Sequence, residues 1–154
     1  MHSSIDDIDA QLLRLLQSDG RMSKQKLADA VGLSAAATHD RVKRLTDEGY
    51  ILGYEAVLNP VKLCAGLLVF AEVRLEYTGV GVADAFRAAV QLRPEILECY
   101  EVAGSFDYMI KTRVADMGAY RDLVASVVWT LPGVRDLRTF AVMEEIKSTA
   151  RIPL

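Results

Sequence analysis

Residues 23–45 read Ser23-Lys24-Gln25-Lys26-Leu27-Ala28-Asp29-Ala30-Val31-Gly32-Leu33-Ser34-Ala35-Ala36-Ala37-Thr38-His39-Asp40-Arg41-Val42-Lys43-Arg44-Leu45. Two helices and the turn between them are legible here. Ser23 is a good N-cap, because its hydroxyl can accept from a free backbone N–H of the first turn. Leu27, Ala28 and Val31 then form a short apolar stripe, and Gly32 ends the helix. Ser34 caps the next helix, which carries Val42 and Leu45 and stops before Gly49. Only Gly32-Leu33-Ser34 separates the two, the short Gly-containing turn of a helix-turn-helix. A plain three-helix bundle is the competing reading.

The preceding residues complete the domain. Ile5, Ile8, Leu12, Leu15 and Leu16 recur at three- and four-residue intervals, as one helix face requires. Asp6, Asp7 and Asp9 fall in the first turn, where carboxylates meet the positive end of the helix dipole. Asp19-Gly20 closes this helix, so residues 1–50 are predicted to be a three-helix domain. Segment 21–44 holds Arg21, Lys24, Lys26, Arg41, Lys43 and Arg44 against Asp29 and Asp40, a local net charge of +4 in a chain of net charge −3. A basic segment on an acidic body suits a nucleic-acid contact, although on charge alone a solvated helix face reads as well. In a helix-turn-helix the second helix enters the major groove of double-stranded DNA. Ser34, Ala35, Ala36, Thr38 and His39 would then face base edges, and Arg41, Lys43 and Arg44 the phosphates.

After Gly49 the period changes. Residues 50–58 read as a strand closed by Asn59-Pro60. Leu67, Val69, Ala71, Val73 and Leu75 alternate strictly, the signature of another strand. Val82, Ala85, Phe86, Ala89 and Val90 form a helical stripe ended by Pro94, and strands follow at 96–102 and 108–114 around a Gly104-Ser105 turn. Asp116 can cap a helix bearing Tyr120, Leu123, Val124, Val127 and Val128, stopped by Pro132-Gly133 before a long strand at 134–146. The predicted fold class is α+β: an N-terminal helix-turn-helix three-helix domain (1–50), a linker strand and hinge (51–66), and a C-terminal ferredoxin-like βαββαβ sandwich (67–154). The helices of such a sandwich cover one sheet face only, yet apolar residues point both ways, with Leu68 and Phe70 opposite Leu67, Val69 and Ala71, and Phe140 and Val142 in surplus. Uncovered apolar sheet is costly in water, so a second copy packed sheet to sheet is expected. A monomer with Leu68 and Phe70 half exposed is the alternative.

The chain has 154 residues, of which 51% are hydrophobic and 25% charged, which excludes disordered and fibrous classes. No apolar run reaches the roughly 18 residues of a membrane span. Residues 1–7 carry acid where a signal peptide needs a basic start. A cytoplasmic protein without a membrane partner is therefore expected. Cys64 and Cys99 form no CxxC pair and are expected to be buried, reduced thiols.

These residues together resemble the Lrp/AsnC family, the leucine-responsive and related feast/famine regulators of prokaryotes. The likeness runs through residues 6–16, Asp19-Gly20-Arg21-Met22-Ser23, Val31-Gly32-Leu33-Ser34, Arg41-Val42-Lys43-Arg44-Leu45 and Gly49-Tyr50-Ile51. It continues in Gly104-Ser105-Phe106-Asp107-Tyr108, Asp116-Met117, Leu131-Pro132-Gly133-Val134 and residues 139–147. The resemblance implies a DNA-binding transcription regulator whose 67–154 domain senses an amino acid, with L-leucine among the candidates and no other cofactor. It also implies homodimers joined through the sensing domains, commonly assembled into an octamer, with the effector bound between dimers.

A free amino acid needs donors for its carboxylate, acceptors for its ammonium and a fitted side-chain pocket. The backbone N–H groups of Gly104-Ser105-Phe106 could cradle the carboxylate and Asp107 could accept from the ammonium. Asp107 as a turn-forming residue bonding its own backbone is the alternative. Met117, Phe140, Ala141 and Val142 could line the side-chain pocket, or be plain core, and Glu101 could reach the ligand or stay solvated. An enzyme of the siroheme-decarboxylase type resembles this two-domain fold. Against it, the only histidines are His2 and His39, and segment 67–147 shows no Ser/His/Asp arrangement, metal-spaced cluster or phosphate loop. No catalytic or metal-binding residue is assigned. A nucleoid-organising protein of low sequence preference is the third reading.

Overall fold

The computed structural model describes residues 5–76 and 79–154, so residues 1–4, part of the signal-peptide argument, lie outside the described residues, as do 77 and 78. The chain divides into two compact units, one of Met1–Val57 with Lys147–Leu154 and one of Leu58–Ile146.

The first unit holds three helices, α1 (Asp7–Ser18), α2 (Lys24–Val31) and α3 (Ala35–Asp47). Each start is fixed by a side chain. Asp6 accepts from the Asp9 N–H while Asp9 reaches back to the Asp6 N–H, a reciprocal capping box. Ser23 accepts from the Lys26 N–H and Ser34 from the Ala37 N–H. Gly32 takes φ 68° at the α2 end, the left-handed conformation that costs a glycine little. Leu12, Leu13, Leu27, Ala28 and Leu45 bury the shared apolar face.

The second unit is a four-stranded antiparallel sheet of β1 (Leu67–Leu75), β2 (Glu98–Glu101), β3 (Tyr108–Val114) and β4 (Val134–Ala141), in the order β2-β3-β1-β4. Helices α4 (Val82–Gln91) and α5 (Met117–Ser126) cover one face. Phe86 and Val90 of α4, and Tyr120 and Leu123 of α5, pack with Val69, Ala71, Val73 and Ile110. This is the expected ferredoxin-like order. Gly133, at φ 73°, turns the chain into β4 where a Cβ would run into Val82.

Four expectations need correction. Residues 50–58 form no strand, because β-prone residues without a neighbouring strand have nothing to take their backbone hydrogen bonds, and Leu52, Val57 and Leu58 stay exposed. Strand β4 stops at Ala141 rather than 146, and residues 147–154 join the helical unit. There Gln17 and Ile152 exchange two hydrogen bonds, at 3.0 and 2.6 Å, and Arg14 donates to the Leu154 carbonyl at 2.9 Å. Cys64 is exposed rather than buried, while Cys99 is half-buried and its thiol is pushed up by burial. Leu68 is buried within a single chain. Arg113, its partner across the β1–β3 ladder, pairs with Glu145 at 2.7 Å, and the Val142 N–H donates to the Leu68 carbonyl at 2.9 Å. The uncovered face still presents Phe70 opposite a 39% exposed Phe140.

Candidate DNA-binding face and effector pocket

The exposed surface of α3 and its cap carries Ser34, Ala35, Ala36, His39 and Lys43. The alanines leave this side of the helix low, and Lys43 meets only Asp47 one turn on, at 3.4 Å with both side chains mostly in water. Such an exposed pair holds a lysine weakly. Lys24 and Lys26 of α2 are exposed as well.

Three residues read as DNA contacts are placed otherwise. Thr38 is 1% exposed and faces the interior of the three-helix unit, where no base can reach it. Among the described residues its hydroxyl has no hydrogen-bond partner. Arg41 turns back to α1, donating to Asp6 at 2.7 Å and Asp9 at 2.9 Å. Arg44 donates to Asp9 and lies 3.5 Å from Glu48. Asp9 is 1% exposed, and burial alone would raise its carboxyl pKa. The hydrogen bonds from Arg44, Arg41 and the Asp6 N–H outweigh burial and hold it below its ordinary value. These ion pairs fix α3 against α1, so both arginines position the recognition helix.

In the second unit, the 104–107 turn meets the end of β1 and the start of β4. Arg74, Leu75, Gly104, Ser105, Phe106, Asp107, Arg135 and Asp136 line a cavity of about 490 Å³ there, room for a molecule of amino-acid size. Asp107 is built into the sheet. Its Oδ2 accepts from the Leu75 N–H at 2.7 Å, its N–H donates to the Val73 carbonyl, and its carbonyl accepts from Val102. The β1–β4 register slips between Arg74 and Leu75, and Asp107 supplies the acceptor for the backbone N–H at that slip. The Asp107 side chain thus bonds the backbone of β1 rather than that of its own turn, and the residue also lines the cavity.

The other expected effector residues are not assembled at this turn. Met117 is the first residue of α5 and half exposed, Phe140 sits beside Phe70 on the open face, and Ala141 and Val142 follow it. Glu101 pairs with Arg87 of α4 at 2.8 Å, away from the cavity. Sequence reading missed Arg74, Arg135 and Asp136. Their signal was topological: in a βαββαβ sheet the end of β1 and the start of β4 arrive beside the β2–β3 turn.

A family model described as winged helix-turn-helix DNA-binding matches residues 5–51. Another, described as the Lrp/AsnC ligand binding domain, matches residues 68–152. The chain is 49% identical over 148 residues to the leucine-responsive regulatory proteins of Salmonella typhimurium and Escherichia coli, covering 96% of this chain and 90% of each relative. Among solved structures, it is similar to a transcriptional regulator from Neisseria meningitidis in complex with L-methionine, with TM-score 0.92 and 31% identity over 97% of both chains. It is also similar to an AsnC family regulator from Agrobacterium tumefaciens, with TM-score 0.91 and 30% identity over 97% of both.

Proposed function

The chain belongs to the Lrp/AsnC family of DNA-binding transcription regulators modulated by an amino acid, and we propose that it reads a specific duplex sequence through α3 and takes its effector at the 104–107 turn. The observation that carries this reading is the division of labour on α3. Arg41 and Arg44 anchor the helix to Asp6 and Asp9, while Ser34, Ala35, Ala36, His39 and Lys43 stay outward. Anchoring limits the rocking of the helix, and specificity needs a fixed register of side chains against base edges. In this reading His39 contacts a base edge, Lys43 a phosphate, and the alanines admit the backbone or meet a thymine methyl.

The protein acts in the cytoplasm on double-stranded DNA. Phe70 and Phe140 form the centre of a sheet-to-sheet homodimer interface, and dimers assemble further into an octamer. Leucine and methionine, from the names of the relatives, are the first effectors to try.

Selection of bound duplexes from a random pool tests the reading. The full chain is expected to enrich one sequence. His39→Ala is expected to relax one or two base positions, at about 1–3 kcal/mol each. Lys43→Ala is expected to weaken binding to all sequences and lower the salt slope by about one. No enrichment, or a changed sequence preference in Lys43→Ala with none in His39→Ala, contradicts it.

A further inference from the structure

Two cations stand at the mouth of the cavity. Arg74 closes β1, Arg135 opens β4, and both guanidinium groups are exposed beside the 104–107 turn. Among the described residues neither makes an ion pair, although Asp136 lies directly across the ladder from Arg74. The two carboxylates of the cavity are each engaged by backbone: Asp107 accepts from Leu75 at 2.7 Å and Asp136 from Leu137 at 3.0 Å. The cavity wall offers little for an apolar side chain. Leu75 is only 6% exposed, and Phe106 is the one other large apolar residue in the lining.

This balance has a chemical meaning. An α-amino acid brings one carboxylate and one ammonium. The ammonium finds an acceptor in Asp107 or Asp136, and the α-carboxylate finds the turn N–H groups or one guanidinium. A second guanidinium then remains, and an apolar side chain gives it nothing. A guanidinium binds a carboxylate through paired N–H donors of matching geometry, which a neutral group does not reproduce. Resting on the reading of this cavity as the effector site, we infer that Arg74 and Arg135 select an acidic amino acid, L-glutamate or L-aspartate. One arginine takes the α-carboxylate and the other the side-chain carboxylate.

Calorimetry on the full chain with L-glutamate, L-aspartate, L-glutamine, L-leucine and L-methionine tests this. L-Glutamine is the decisive control, because it matches glutamate in shape and lacks the charge. Glutamate or aspartate is expected to bind about ten- to a hundredfold more tightly than glutamine or leucine, the range of one charge-assisted contact. Of Arg74→Gln and Arg135→Gln, one is expected to erase most of that preference and the other to weaken all the amino acids alike, and the double variant is expected to lose both. Both positions are exposed, so the thermal transition of the chain should hold and separate lost binding from lost folding. Tightest binding of leucine, methionine or glutamine overturns the inference and leaves the effector reading standing. An acidic preference that survives in the double variant overturns the assignment of the arginines. Binding of none of the five overturns the effector reading, and the inference with it.

Discussion

A carboxylate that is 1% exposed persists in a small helical unit only when its charge is answered, and Asp9 is answered by Arg41, Arg44 and the Asp6 N–H. Asp9→Asn is expected to cost about 1–3 kcal/mol, because it leaves two guanidinium groups facing a neutral amide. Hydrogen exchange at α1 and α3 amides would show it, and unchanged protection would contradict it. The carboxyls of Asp6 and Asp9 both titrate below their ordinary 3.8 in the folded chain. The unfolded chain therefore takes up their protons first. Their contribution is complete above the ordinary value and is lost as pH falls through the lowered folded values, so the α1–α3 contact is expected to loosen below about pH 4. In Asp9→Asn that acid sensitivity should shrink. Thr38 is the opposite case, a buried hydroxyl with no partner among the described residues. Thr38→Val is expected to stabilise the unit by up to about 1 kcal/mol and to leave DNA affinity unchanged, by thermal unfolding and duplex titration. Lost sequence preference in that variant would put Thr38 back in the groove. The sequence pattern named these residues but not their directions. Arg41 and Arg44 read as phosphate contacts because their acceptors on α1 lie 32 to 35 residues away in sequence, invisible to local spacing.

Elements whose cause is local were legible. Ser23, Ser34 and Asp116 cap the helices they were expected to cap, Gly32 ends α2, and β1 and β3 follow from strict alternation. Elements that need a distant partner were not. The 50–58 segment has the composition of a strand and no neighbour to pair with, and β4 runs only as far as β1 accompanies it, Ala141 opposite Val69. The 147–154 tail has no periodicity at all. Its place with the helical unit comes from hydrogen bonds to Arg14 and Gln17 of α1, more than a hundred residues earlier in the chain. Deleting residues 151–154 is therefore expected to lower the stability of the helical unit by about 0.5–1.5 kcal/mol, measured as faster amide exchange in α1 with the β1–β3 amides unaffected. Equal loss in both units, or none, would contradict that placement.

The chain passes between its units twice, at 57–58 and at 146–147, so the sheet unit that holds the 104–107 cavity and the helical unit that holds α3 are joined covalently along both routes. Within the sheet unit, Phe70 and Phe140 sit side by side on the face opposite α4 and α5, with the Arg138 guanidinium 5.2 Å from the centre of the Phe140 ring. Phe140→Glu is expected to shift the full chain to smaller species in light scattering, since a charge at the centre of an apolar interface loses its water without a partner. An unshifted assembly would move the interface elsewhere. The fold class was legible at this scale, because two periods in one chain and the βαββαβ order leave few alternatives, while the return of residues 147–154 to the helical unit was not. The cavity was legible at its turn but not at its rim, where Arg74 and Arg135 come from strands far apart in sequence. The central claim is that amino-acid binding and duplex binding are coupled in one molecule. Affinity for the selected duplex, measured at fixed salt with and without each standard amino acid, tests it most directly. At least one amino acid is expected to change that affinity by about 5- to 150-fold, with the duplex changing the affinity for that amino acid by the same factor. Identical duplex affinity in the presence of every amino acid would contradict the account.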